Sequence, residues 1–190
     1  MSYTWSVTAF TIKGTITVRM GRIKRITGNL LECCGILVHG CNCRGVMGAG
    51  VAAALRARWP AIYDAYREKF LREGLMLGEG VVVASAADKH RWPIDAEVHT
   101  WSQQLPSATM VVNMMTQEDY GRNPSRVYVD YEAISHGFEN VVKPLAQKTG
   151  LPVYFPKIGC GLANGNWQEV GKRIEGALPL DVPLFLVELE

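Results

Sequence analysis

No apolar run in this 190-residue chain approaches the roughly 18 to 20 residues that cross a bilayer. The start of the chain also lacks the continuous apolar stretch of a secretory signal, because apolar residues alternate with Thr and Ser from Trp5 to Ile12. A cytoplasmic protein is the simplest expectation. Cysteine is sparse and odd in number, with Cys33, Cys34, Cys41, Cys43 and Cys160 in a chain without an export signal, which argues against a disulfide framework. Cys41-x-Cys43 has no second Cys or His pair at ligand spacing, so neither a metal nor any other cofactor is expected. Acidic residues are missing from positions 1–31, where Lys13, Arg19, Arg22, Lys24 and Arg25 stand. The other fifteen of the twenty basic residues face all eighteen acids in the rest of the chain. No interleaved aromatics accompany that basic end, so a solvated strand face explains it better than a nucleic-acid surface.

What is present describes one ordinary globule. Hydrophobic residues make up 48% and charged residues 20%, at a mean hydropathy near zero (+0.03). The length suits one domain, with no internal repeat or low-complexity linker to divide it. Period-two alternation around Lys13-Gly14 predicts a β appendage over residues 1–19, ahead of a main domain over 20–190. Within that domain, strands are predicted at 22–26, 35–41, 81–84, 110–114, 151–155 and 182–189. Helices are predicted at 50–59, 61–73, 126–148 and 167–178, with one further short strand open between 85 and 110. Strands alternating with helices imply an α/β fold in three layers, α/β/α, around a mixed, largely parallel central sheet. Ligands of such sheets lie beyond the carboxyl ends of the strands.

Three segments that follow strands carry unusual chemistry. His39-Gly-Cys-Asn42-Cys-Arg-Gly-Val-Met-Gly-Ala-Gly-Val-Ala52 joins a buried strand to a helix through closely spaced glycines, where backbone amides and a helix N-terminus suit an anionic phosphate. Pro156-Lys-Ile-Gly-Cys-Gly-Leu-Ala-Asn-Gly-Asn-Trp167 repeats the arrangement, so the pair can grip a pyrophosphate from both sides. Asn113 to Gly121 adds amides, a hydroxyl and Tyr120 where a sugar or base can be recognised. Neither glycine loop has the Walker A spacing, and the first lacks the Rossmann spacing and its acidic ribose ligand. An ordinary NTPase or dehydrogenase is therefore excluded.

These motifs, with Thr27-Gly28-Asn29-Leu30, resemble the macrodomain family, which binds ADP-ribose; the likeness covers most of Ile23 to Leu189. It is nearest the branch of the yeast ADP-ribose-1″-phosphate phosphatase and the terminal ADP-ribose protein glycohydrolase. The resemblance implies that Asn29 and Leu30 face adenine and that Asn42 hydrogen-bonds the distal ribose. The backbone of Met47, Gly48, Ala49, Gly50 and Val51, and that of Ile158, Gly159, Cys160, Gly161 and Leu162, would hold the diphosphate. Many macrodomains carry Asp where Asn29 stands, and an amide oxygen accepts without that charge. The glycohydrolase branch uses a lysine nucleophile and an aspartate at the places of Gln117 and Ala163, so its route is disfavoured.

A phosphatase-like route, with water placed in line with the 1″ phosphorus and amides on the equatorial oxygens, asks less of the protein. Asn42 and His39 are its candidate catalytic residues, although His39 in an apolar strand also reads as a hydrogen-bonded core histidine. Glu118, Asp119 and Asp130 are further carboxylates, each readable as a solvated loop or helix-start residue. Gln117 and Tyr120 complete the expected ligand contacts. The expected partner is ADP-ribose or ADP-ribose 1″-phosphate, with no membrane involved. Three functions follow: hydrolysis of phosphate from ADP-ribose 1″-phosphate, a non-catalytic ADP-ribose reader, or removal of ADP-ribose from protein or nucleic acid.

Overall fold

The computed structural model of the chain describes residues 21–92, 94 and 97–190. The appendage expected over 1–19 lies outside the described residues. Seven strands form one sheet: β1 (Ile23–Thr27), β2 (Ile36–Asn42), β3 (Gly80–Ser85), β4 (Thr100–Ser102), β5 (Met110–Gln117), β6 (Val153–Phe155) and β7 (Leu184–Glu188). Their order is β1-β7-β6-β2-β5-β3-β4. The first five of that order run parallel, β3 pairs antiparallel to β5, and β4 follows β3 in parallel, giving the mixed sheet expected. β2 and β5 sit at its centre and are buried along nearly their whole length. Continuous apolar runs such as Ile36-Leu-Val38 and Met110-Val-Val112 belong in strands covered on both faces.

Helices cover both faces. Leu37, Cys41, Val81, Val83, Val111 and Met115 pack against α1 (Gly50–Arg58) and α2 (Pro60–Glu73) through Leu55, Trp59, Ile62 and Tyr66. Ile36, Val38, Val82, Val112 and Met114 pack against α3 (Tyr131–Gly137), α4 (Lys143–Thr149) and α5 (Trp167–Ala177) through Ile134, Leu145, Val170 and Ile174. Pro60 opens α2, where its missing N–H costs nothing.

One helix departs from its predicted course. The helical period from Arg126 starts in the structure only at Tyr131, because Asp130 turns its side chain onto Ala133 N–H (2.9 Å) as an N-cap. The backbone at 126–130 bonds elsewhere: Tyr128 N–H donates to Ala163 O (2.9 Å) and Asp130 N–H to Thr116 O (2.8 Å). The run is also broken by a π turn, Phe138–Val142, between α3 and α4. Pro144 explains that break, since it has no N–H to give and its ring crowds the preceding turn.

Candidate functional site at the carboxyl edge of the parallel strands

β6, β2 and β5 are adjacent, and β2 is parallel to each neighbour, so the segments following all three emerge at one edge of the sheet. Residues more than a hundred positions apart thereby face one another. The register slips between Cys41 and Asn42: Cys41 lies opposite Met115, but Asn42 lies opposite Gln117. Thr116 is the extra residue, and its buried hydroxyl, without a partner among the described residues, lies against the empty side of Gly40.

Past this bulge the first glycine loop is organised by Asn42. Its Oδ1 accepts from Arg44 N–H (2.9 Å) and Val46 N–H (3.3 Å), and its Nδ2 donates to Val46 O (2.7 Å). The Tyr66 hydroxyl donates to Asn42 O (2.6 Å), tying the loop to α2. Met47 anchors the far side, with its side chain buried in the core cluster that includes Leu30, Leu37 and Cys41. Past Met47, Gly48, Ala49 and Gly50 are exposed. The N–H groups of Met47, Gly48 and Ala49 meet no acceptor among the described residues.

The start of α1 is equally unsatisfied. Ala49 at its N-cap makes no side-chain hydrogen bond, and no acid stands in the first turn. By contrast, Asp130 caps α3, and Asn166 caps α5 by accepting from Gln168 N–H (2.8 Å). The first-turn amides of α1 are therefore available to an anion, with the helix dipole in its favour. Gly50 has φ +56°, which an L side chain adopts only with strain.

The second glycine loop leaves β6 and is held from below by the segment before α3. Asn164 donates from Nδ2 to Asn123 O (2.9 Å) and Arg126 O (2.8 Å), while Ala163 O receives Tyr128 N–H. Gly159, at φ +69°, lies so close to Val129 that any Cβ would collide with it. Gly165 N–H closes the loop onto Gly159 O (2.8 Å). Two expected diphosphate amides are already spent, since Ile158 N–H donates to Pro156 O (2.7 Å) and Cys160 N–H to Lys157 O (3.1 Å). That leaves Gly159, Gly161 and Leu162, whose N–H groups meet no acceptor among the described residues.

No family model matches the chain. It is 38% identical over 166 residues to the ADP-ribose 1″-phosphate phosphatase of Scheffersomyces stipitis, an alignment covering 77% of this chain and 90% of that protein. Among solved structures, the macrodomain of Thermus aquaticus DarG superposes with a TM-score of 0.63 at 27% identity, over 86% of this chain and 96% of that one. The chain belongs to the macrodomain family. It is also 25% identical over 142 residues to the DNA ADP-ribosyl glycohydrolase of Mycobacterium tuberculosis, but spans only 34% of that protein's length.

The side chains expected at the site of this macrodomain stand in different settings. His39, a candidate acid or base, is held in the core: it is 1% exposed, and its Nε2 hydrogen-bonds Asn113 Oδ1 (2.7 Å), whose amide donates to Ile62 O (3.0 Å). Burial pushes its pKa down to about 4, despite the opposing hydrogen bonds from Asn113 and Gly40, so it is a neutral core residue. Leu30 is buried in the core and can meet a ligand through its backbone alone. Asn29 caps a short 3-10 turn, its Oδ1 accepting from Leu31 N–H (3.0 Å), while Nδ2 meets no acceptor among the described residues. Gln117 is half-buried and donates from Nε2 to Asp119 O (2.8 Å), and Tyr120 is exposed beyond it.

Of the three candidate carboxylates, Asp130 is committed to α3 and Asp119 accepts Tyr120 N–H (2.8 Å). The Glu118 carboxylate accepts no backbone donor among the described residues and pairs with Arg44. No group of three or more His, Cys, Asp or Glu side chains with metal-holding geometry exists among the described residues. Burial raises the Cys41 thiol and raises Cys43 to about 11, with Glu118 adding to the latter, so neither offers a thiolate near neutral pH. Trp167 packs on Phe155 with ring centroids 6.4 Å apart and lines a cleft with Ile23, Arg25 and Glu175 between β1 and α5.

Tyr66, Asn123 and Val129, which shape the two loops, were not anticipated from the sequence. The signal for Val129 was the pair Gly159 and Gly165, two glycines demanding a close neighbour. Nothing local marked Tyr66, which reads as one more apolar position of α2. No helix among the described residues is long and apolar enough to cross a membrane.

Proposed function

We propose that this macrodomain binds ADP-ribose across the carboxyl edge of its parallel strands and hydrolyses the phosphate of ADP-ribose 1″-phosphate. The observation that carries the reading is the uncapped N-terminus of α1, with exposed amides at Gly48 to Gly50, beside the Gly159, Gly161 and Leu162 amides of the neighbouring strand's loop. A diphosphate satisfies both sets. Adenine then lies toward Asn29, whose free Nδ2 can donate to a ring nitrogen. The distal ribose lies at the opposite end, toward Asn42, Gln117 and Tyr120. The relative from Scheffersomyces stipitis, named for the phosphatase reaction, supports this choice of chemistry.

In the reaction a water attacks the 1″ phosphorus, the bond from phosphorus to the ribose oxygen breaks, and inorganic phosphate leaves ADP-ribose behind. Asn42 acts by holding the first glycine loop, and with it the diphosphate, in place, so that the 1″ phosphorus is presented to the attacking water. The glycohydrolase route has less support. Gln117 stands where that branch has its lysine, with its amide tied to Asp119 O, and Ala163 is buried where that branch has its aspartate.

A reader of ADP-ribose is the second reading, favoured by those same two residues and by the burial of His39. Calorimetric titration with ADP-ribose and a phosphate-release assay on ADP-ribose 1″-phosphate separate them. Binding with release supports the phosphatase; binding without release supports the reader; no binding at millimolar ADP-ribose overturns both. Release of ADP-ribose from modified protein or DNA would instead favour the third function.

A further inference from the structure

Strand order sets the direction in which ADP-ribose lies. Asn29 follows β1, which stands three strands from β2, about 14 Å at the usual spacing. With adenine there and the diphosphate over the β6 and β2 loops, the distal ribose reaches the junction of β2 with β5. This placement rests on the ADP-ribose reading above. Three charged side chains meet at that junction. Arg44 Nη2 lies 3.4 Å from Glu118 Oε1, and Arg44 Nε lies 3.9 Å from Asp119 Oδ1.

The backbone beneath this trio is fixed while the charges are not. Arg44 N–H is held by Asn42 Oδ1, and Cys43 N–H bridges Gln117 O (3.0 Å) and Glu118 O (3.2 Å). The Arg44 and Glu118 side chains are 51% and 59% exposed. Exposed pairs of this kind contribute little, so the guanidinium is free to exchange partners. A phosphate monoester dianion offers its planar fork several acceptor oxygens and a second charge, and makes the stronger partner.

We infer that Arg44 is a specificity-determining residue that leaves Glu118 and Asp119 to pair with the 1″-phosphate, separating ADP-ribose 1″-phosphate from ADP-ribose. The released Glu118 carboxylate then opposes the dianion. Arg44 and Glu118 consequently act with opposite sign on the same ligand.

The test is displacement of labelled ADP-ribose in a stopped-flow instrument, before turnover, by ADP-ribose and by ADP-ribose 1″-phosphate. Arg44→Gln should weaken the 1″-phosphate by about tenfold, the size of one charge-assisted contact, and ADP-ribose by less than about twofold. Glu118→Gln should tighten the 1″-phosphate and leave ADP-ribose unchanged. A purely structural Arg44 would weaken both ligands equally, and that result overturns the inference, as does looser 1″-phosphate binding by Glu118→Gln. If the unaltered protein binds neither ligand, the ADP-ribose reading itself fails and takes this one with it. If it binds both and Arg44→Gln leaves their ratio alone, only the role of Arg44 falls.

Discussion

His39 and Asn42 stand three residues apart in one strand and answer opposite questions. His39 is held neutral by burial, with a pKa of about 4 against an ordinary 6.5. The unfolded chain therefore binds a proton that the folded site refuses. The histidine's contribution is whole above about pH 6.5, declines as pH falls, and is exhausted near pH 4; it amounts to about 3 kcal/mol. Urea unfolding followed from pH 7 to 4 should show this loss, and His39→Gln should flatten it without abolishing phosphate release. A complete loss of activity in a folded His39→Gln protein would restore the catalytic role. Asn42→Ala removes the loop's three side-chain hydrogen bonds and should cost about 1–3 kcal/mol in stability. ADP-ribose affinity should fall by roughly tenfold or more, because displaced amides no longer converge on one anion. Calorimetry of the folded variant checks this, and unchanged affinity would mean that the loop holds its shape without the asparagine.

α1 begins without the cap that α3 and α5 possess, and an uncapped helix start in a folded domain gives up stability. Ala49→Asp would supply the missing acceptor. It should raise the unfolding free energy by about 0.5–2 kcal/mol while weakening ADP-ribose, because a carboxylate then occupies the place of the phosphate. Parallel gains in stability and affinity would instead show that the ligand lies elsewhere. Both glycine loops were legible as motifs, since turn chemistry and helix starts are written in adjacent residues. The supporting segment at 126–130 was not. Its periodicity continues that of α3, and only contacts with Ala163 and Thr116, distant in sequence, pull it out of the helix. The π turn likewise follows from Pro144, whose effect on a packed helix is visible while its form is not. Gly159→Ala tests the same support from the other side. With a positive φ and Val129 in the way, it should destabilise the domain by about 1–3 kcal/mol, measured by denaturant unfolding.

At the scale of the molecule the order of strands along the chain was readable, but their order across the sheet was not. Apolar runs mark Ile36-Leu-Val38 and Met110-Val-Val112 as buried strands without saying which neighbours they take. The pairing β6-β2-β5 is what assembles the site from three separated segments, so a ligand spanning their loops should steady the whole domain. ADP-ribose at a hundred times its Kd should add about 2.7 kcal/mol to stability, seen as a raised thermal midpoint, whereas a nucleoside without phosphates should not. The outer pairing carries a different consequence. β1 is joined to the sheet by β7, with Ile23 opposite Leu184 and Thr27 opposite Glu188. During synthesis the first of these strands must wait, with its backbone hydrogen-bonding groups open, until β7 has been made. Assembly of this edge is thus a long-range event on the ribosome, and β1 is exposed to mispairing until its partner emerges.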